Sequence, residues 1–488
     1  MSLFLDRIKT PSFLFFSLLI VGFLLRSYAF QQNIEFNSDF GRDSLFAMRI
    51  LEEKPTLLGA QSSTGGFYLG PLYFYGLAAV YFVFGYAPQI GNLVFIGLNI
   101  WAAYLVYKFL KEQVSEAAGL FGLTLFTFSP LLITAARGAT HVPMLPLITV
   151  LSVMALYRAL TERKMPWHIV SGLAFGLFFH VHFTALLLVP GYLLAVWLWG
   201  GKQWRERLTA VAYHISGVVL MLSPLILFDV RHGFITSQAF FDYLFASATG
   251  GEITANFDHW TTSEKVFNLL KMFTQQTWLQ LLLVAGAVLG LKKSWPKKFS
   301  LTVPNLVGLL FGSMFVFYLL YSGYLYAYYL VIPVTLGVLV FAILLAATPQ
   351  RWLSLLVVSL MALSTLLATK GGYQPIFRTI QHLSAITHEI ERHIDATQPA
   401  SFTIFKDSRD GLTSLGYEYR FLLQRDGYVP ARELEYHLAE VMYVIQEDGD
   451  ADPLTLGNWE VTQFAPTEAE ELTTLELQGK TIRIFVLY

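Results

Sequence analysis

Cysteine is absent from the 488 residues. That removes disulfides, thiolate metal sites and a cysteine nucleophile together, and leaves the compartment undecided. Charge is scarce as well: Asp, Glu, Lys and Arg make up 14%, against about 25% in soluble domains. The net charge is -1, and no Lys/Arg-rich tract of the kind that follows phosphates occurs, so nothing points to nucleic acid. No stretch repeats at a period of about 20–50 residues, and no inverted pair of broken helices of the transporter kind is visible.

What fills the chain is apolar: 55% hydrophobic, 16% aromatic, with a mean hydropathy of +0.52. This predicts an α-helical polytopic membrane protein. The N-terminus has the layout of a signal sequence, with Arg7 and Lys9 before apolar residues 12–25. No small-x-small site follows, and Arg26 leads straight into a polar loop, so the segment reads as a retained signal anchor. Apolar runs of about 20 residues, enough to cross a bilayer, number about eleven. They fall at 12–30, 88–109, 116–136, 142–161, 166–182, 183–200, 208–228, 276–292, 303–322, 324–347 and 351–369. Arg7 and Lys9, Lys108 and Lys111, Arg158, Arg163 and Lys164, Lys202, Arg205 and Arg207, Lys292, Lys293, Lys297 and Lys298, and Arg351 then share one side. The positive-inside rule makes that side cytoplasmic, with the N-terminus. Residues 71–85 are apolar but short and read as an interfacial or re-entrant helix within an outer loop, 31–87.

A second outer loop covers 229–275, with turns at 250–251 and 256–260. Residues 1–369 therefore form a transmembrane domain. From 370 to 488 charges become frequent and the pattern changes. Helical spacing at 377–394 and 412–424, with strands at 402–405, 441–445 and 481–486, predicts a small soluble α/β domain on the outer side.

Polar groups beside a lipid-embedded body are costly to keep without a use. Asp39, Arg42 and Asp43 lie one helical turn apart if Ser38 caps a helix there. They could supply a general base, an orienting charge and an anion partner; they could equally be an i,i+3 ion pair that shapes the loop. Gly65, Gly66 and Gly70 around Tyr68 form a lip that lets backbone approach a ligand, or simply turn the chain before Pro71 at a helix start. Arg137, His141, Arg231 and His232 stand at outer span ends as donors for a lipid phosphate, or snorkel to the interface. His180 and His182 form an H-x-H pair without a third ligand nearby, which favours hydrogen bonding at a cavity edge over metal ligation. Tyr324, Tyr326, Tyr328 and Tyr329 suit an aromatic belt; Tyr328 is also a candidate substrate contact.

The order of these features carries a resemblance. A first span, an acidic outer loop (Asp39-Phe-Gly-Arg42-Asp43), Gly70-Pro-Leu-Tyr-Phe-Tyr75, then Asp229-Val-Arg-His-Gly-Phe234 and Tyr326-Ala-Tyr-Tyr-Leu-Val-Ile-Pro333 resemble the dolichyl-phosphate-mannose protein mannosyltransferase-like family of C-type (GT-C) membrane glycosyltransferases. The likeness spans residues 12–370. It implies a polyprenyl-phosphate sugar donor, an inverting transfer to a glycan, lipid or protein acceptor, and catalysis by the acidic residue of the first outer loop. Asp39 matches that residue. Many relatives carry Asp-Glu there; this chain has Phe40 in second place, which leaves Asp43 as the second catalytic candidate. Distant relatives that transfer oligosaccharides to asparagine carry acidic metal ligands after the third span. The corresponding residues 137–141 contain no carboxylate, so the resemblance leaves a divalent metal open but without a carboxylate cluster to support it, and implies no other cofactor. The resemblance also implies an integral protein of a bacterial plasma membrane with an extracytoplasmic site. A transporter or glycolipid flippase is the rival reading; it predicts charges at the bilayer midplane, whereas the ionisable residues here cluster at span ends.

Overall fold

The computed structural model describes residues 11–62, 66–138, 140–249, 261–294, 299–321, 326–372, 376–407, 415–447 and 449–488. Arg7, Lys9, Gly65, the turns at 250–251 and 256–260, Lys297, Lys298, Tyr324 and the start of the 412–424 helix lie outside the described residues. The chain divides into two compact units. The first comprises residues 1–28, 56–73 and 92–372; the second comprises 29–55, 74–91 and 373–488.

The first unit is a bundle of apolar helices. Among the described residues, six helices are long and apolar enough to cross a membrane, or up to eight if each of two bent pairs is one span. The expected eleven spans are not confirmed by this count. Hydropathy counts apolar residues whether or not the backbone stays in one helix. The 166–182 stretch is a helix only over Met165–Gly176, followed by a 3-10 turn. At ~1.5 Å per residue such a helix is far shorter than the ~30 Å hydrocarbon core. The segment Phe183–Trp199 is also short, as is the helix Leu72–Phe84. At the centre stands Val331–Ala347, buried on nearly every face. Helices Glu116–Phe128, Leu145–Glu162, Thr277–Ser294 and Val303–Leu320 pack around it.

Both bent pairs break before a proline. Helix Glu116–Phe128 turns through 58° into Pro130–Arg137; Pro130 has no N–H to continue the ladder, which frees the carbonyls behind it. The fully buried Arg26 meets them. Its Nη2 donates to Phe126 O at 3.1 Å, its Nη1 to Thr127 O at 3.3 Å and its Nε to Asn99 Oδ1 at 2.7 Å. Ser129 caps the new helix by accepting from Leu132 N, and donates its hydroxyl to Met272 O at 2.7 Å. Helix Trp204–Met221 likewise turns 68° into Ser223–Arg231 before Pro224.

The second unit is built on a four-stranded sheet in the order β1-β2-β4-β3. β1 (Phe402–Asp407) is parallel to β2 (Val441–Glu447). β4 (Lys480–Leu487) runs antiparallel to β2 and to β3 (Ala469–Leu477). Three strands stand where the sequence places them. The fourth, β3, is an edge strand exposed along most of its length, so its Glu- and Thr-rich residues carry no hydrophobic run to read. Helix Ile380–Thr397 turns its apolar stripe, Leu383, Ile386 and Ile390, inward. Helix Tyr417–Arg425 lies between β1 and β2 in sequence.

Residues 29–55 are part of this unit. Phe36 N donates to Arg378 O at 2.7 Å, Ile376 N donates to Gln32 O at 3.1 Å, and Arg49 pairs with Glu433 at 2.7 Å. Burial pushes the Glu433 carboxyl up, but the Arg49 guanidinium outweighs this and holds it below the usual carboxylate range. Inside the unit Glu418 and Lys406, both fully buried, pair at 2.9 Å, and Arg378 reaches Glu418 at 2.9 Å and Glu447 at 2.5 Å.

Hydrogen bonds to a charged donor are worth about 1.5–3 kcal/mol each where their loss orphans buried acceptors. Arg26→Met is therefore expected to destabilise the detergent-solubilised protein by about 2–4 kcal/mol. A melting curve unchanged from wild type would show that the Pro130 break needs no cap.

Candidate functional site

Helix Ser38–Glu52 carries the acidic cluster. Its cap is Asn37, whose side chain accepts from Phe40 N at 3.0 Å; Ser38, expected in that role, is buried inside the first turn. The helix then sorts its polar residues by depth. Asp43 is fully buried, and its Oδ1 accepts from Arg42 Nε at 3.0 Å and from Nη2 at 2.8 Å. Asp39 pairs with Arg42 Nη1 at 2.9 Å but keeps its side chain 62% exposed. Arg42 is thus held on both sides. Burial alone would ease its proton off, but the charges of Asp43 and then Asp39 prevail and raise its pKa further. Phe40 turns inward, fully buried, with its ring edge-on to Phe36 at 5.0 Å. Position 40 therefore faces the core, away from the exposed carboxylate. One turn on, Ser44 meets Tyr81 Oη at 2.7 Å.

These three residues lie in the second unit; the other candidates lie in the first. There the structure brings His141, His182 and Tyr328 together. The imidazoles of His141 and His182 are 5.9 Å apart, and His182 stands 5.4 Å from the Tyr328 ring and 5.3 Å from Tyr329. Tyr73 packs edge-on to His141 at 5.7 Å. His182 also caps the 3-10 turn Phe183–Leu188, its Nδ1 accepting from Thr184 N at 3.1 Å.

His180 is separate from this group and buried. Its Nδ1 accepts from Leu72 N at 3.2 Å and its Nε2 meets the Met221 carbonyl at 3.0 Å, just before the Pro224 break. Gly70 is required by this contact, since a Cβ there would sit 2.1 Å from the His180 ring. Pro71 precedes the helix Leu72–Phe84 rather than opening it.

Arg137 is buried, and its Nη1 donates to the carbonyls of Leu25 at 3.4 Å and Arg26 at 3.2 Å. Arg231 and His232 end helix Ser223–Arg231 and are exposed; His232 stacks on Phe228 with ring centroids 4.0 Å apart.

Asp229, which opens the Asp229–Phe234 motif and has no site signal of its own in the sequence, is buried. It accepts from Thr236 N at 2.8 Å and Ser237 N at 3.0 Å, capping the next helix. With Tyr68, Phe67, Phe183, Leu225 and Phe240 it lines an apolar cavity of about 250 Å³. Among the described residues, no group of three His, Asp or Glu is arranged to hold a metal ion. Arg137 and His141 supply no carboxylate for a metal.

Residues 69–228 match the sequence pattern of the dolichyl-phosphate-mannose-protein mannosyltransferase family. The fold is similar to that of ArnT from Cupriavidus metallidurans bound to undecaprenyl phosphate, at a TM-score of 0.64 and 11% identity, over 96% of this chain and 97% of that one. The apo form of the same protein gives 0.62 over the same shares. The oligosaccharyltransferase of Archaeoglobus fulgidus, tethered to an acceptor peptide, gives 0.50 at 10% identity, over 85% of this chain and 64% of that one. No curated protein sequence matches the chain. The resemblance to the C-type membrane glycosyltransferases, read from the ordered motifs, is borne out by the matched stretch and by the fold.

The depth difference between the two carboxylates has a measurable consequence. Removing Asp43 leaves the largely buried Arg42 without its bidentate partner. Asp43→Ala should cost about 1.5–3 kcal/mol of stability, whereas Asp39→Ala, which breaks a solvent-exposed pair, should cost at most about 1 kcal/mol. Equal losses in thermal unfolding would show that the two carboxylates are not divided in this way.

Proposed function

We propose that the protein transfers a sugar from a polyprenyl-phosphate donor to an acceptor on the extracytoplasmic face of the membrane, with inversion at the anomeric carbon. The family pattern and the fold support a C-type glycosyltransferase. The observation that carries the mechanistic part is the exposed Asp39 carboxylate, steadied by an Arg42 that Asp43 holds from below.

Asp39 takes the proton of the acceptor hydroxyl or amine as its lone pair forms the new bond to the anomeric carbon. The bond from that carbon to the phosphate oxygen breaks, and its electron pair leaves with the polyprenyl phosphate. Phosphate departs without a general acid of the kind that glycosidases need; it calls for cations. Arg231 is the exposed candidate, while Arg137, anchored on two backbone carbonyls, is suited to a fixed contact, and Arg42 is a third. His141, His182 and Tyr328 offer a polar and aromatic surface for the sugar. Asp43 then orients Arg42 instead of acting as a second base. The lipid-linked donor gives the reason for a membrane location, with the N-terminus cytoplasmic and the site in the outer headgroup region of a bacterial plasma membrane.

A positioned general base contributes about 10²–10⁴-fold. Asp39→Asn should lose turnover by that factor while folding as wild type, measured by following label from radiolabelled polyprenyl-phosphate sugars into lipid, glycan or protein. Full transfer by the folded Asp39→Asn protein would remove Asp39 as the base.

A further inference from the structure

The helix that carries Asp39 comes backbone to backbone with the C-terminal part of the chain at a residue without a side chain. Gly41 lies between Asp39 and Arg42, in regular helix, with its N–H donating to Asn37 O at 2.9 Å. A Cβ at this position would stand 2.4 Å from both the Cα and the N of Glu418 and 2.7 Å from the carbonyl carbon of Tyr417. These are backbone atoms, so no rotamer change relieves the contact, and the two helices meet at the closest approach that backbones allow.

Glu418 cannot yield. It is fully buried, and its Oε1 accepts from Lys406 Nζ and from Arg378 Nη1, both at 2.9 Å. Lys406 belongs to β1, and Arg378 also reaches Glu447 on β2. Helix Tyr417–Arg425 is therefore tied to the sheet through the residue that Gly41 touches. Phe421 of the same helix packs on Phe36 at 5.7 Å and on Tyr81 at 6.0 Å, on either side of the contact. Arg49 and Glu433 close the far end of the Asp39 helix at 2.7 Å.

We propose that Glu418, pinned by Lys406 and Arg378, is a positioning residue for the reaction, and that Gly41 is the contact through which the C-terminal sheet sets the place of Asp39 and Arg42. The proposal rests on the reading of Asp39 as the base. It gives the C-terminal part a role in turnover rather than in donor affinity: displacement of a reacting group by about 1 Å can cost on the order of 10²-fold, while groups elsewhere that bind the donor are untouched.

The test uses the full-length protein and four variants: Gly41→Ala, Asp39→Asn, the two combined, and Gly76→Ala as a control. A Cβ at Gly76, also helical, meets nothing within 4 Å. Alanine favours helix over glycine, so neither substitution harms the helix itself. Gly41→Ala should lower kcat by about 10–10²-fold with the donor KM within about threefold, and should add less than about twofold in the Asp39→Asn background, because coupled residues are not additive. Gly76→Ala should match wild type. A Gly41→Ala enzyme with wild-type kcat, or one whose loss multiplies fully onto that of Asp39→Asn, overturns the proposal. If Gly41→Ala does not fold, Glu418→Gln is carried through the same cycle, since it loosens the pin without changing volume; no loss, or a fully multiplying loss, counts against the proposal in the same way. Wild-type turnover by Asp39→Asn alone would show instead that the base is misassigned, and would take the proposal down with it.

Discussion

A charge removed from water must be met by partners, and in this protein that requirement organises both units. A bare buried ion costs several kcal/mol even after relaxation, and a bare backbone carbonyl in an apolar interior costs a comparable amount. Arg26 and the Pro130 break solve the two problems at once: the break supplies carbonyls, and the guanidinium supplies the donors. Arg42 and Asp43 do the same within one turn of helix, and Lys406, Arg378 and Glu418 within the sheet domain. Each solution fixes geometry, because a guanidinium or carboxylate satisfied by two partners cannot rotate away from either.

This accounts for the different depths of the two aspartates. Asp43 is committed to Arg42, and that commitment leaves Asp39 as the carboxylate exposed to solvent. The same logic extends to His180 and Arg137. In the structure each holds backbone, His180 between Leu72 and the carbonyl before the second proline break, Arg137 on the carbonyls that end the first span's helix.

The membrane class, the change of composition near residue 370, three of the four strands and the acidic turn at 39–43 were legible in the sequence. Each is a local pattern: hydropathy over a window, alternation over a few residues, charges at helical spacing. Where helices break was not, because proline breaks and 3-10 turns interrupt helices without altering hydropathy. Asn37, rather than Ser38, caps the Asp39 helix, a choice between neighbouring residues of equal propensity that only the backbone decides. Asp229 was visible as part of a motif, but its burial and its two backbone donors were not.

The sequence by itself determined that the chain is helical and apolar, which residues are charged, and through ordered motifs which family it resembles. Only the tertiary structure decided that residues 29–55 fold with residues 373–488, that Gly41 meets Glu418 backbone to backbone, and that His141, His182 and Tyr328 share a corner. These facts join residues far apart in the chain. Periodicity reports how one segment meets an apolar or an aqueous surrounding, and it carries no information about which other segment provides that surrounding.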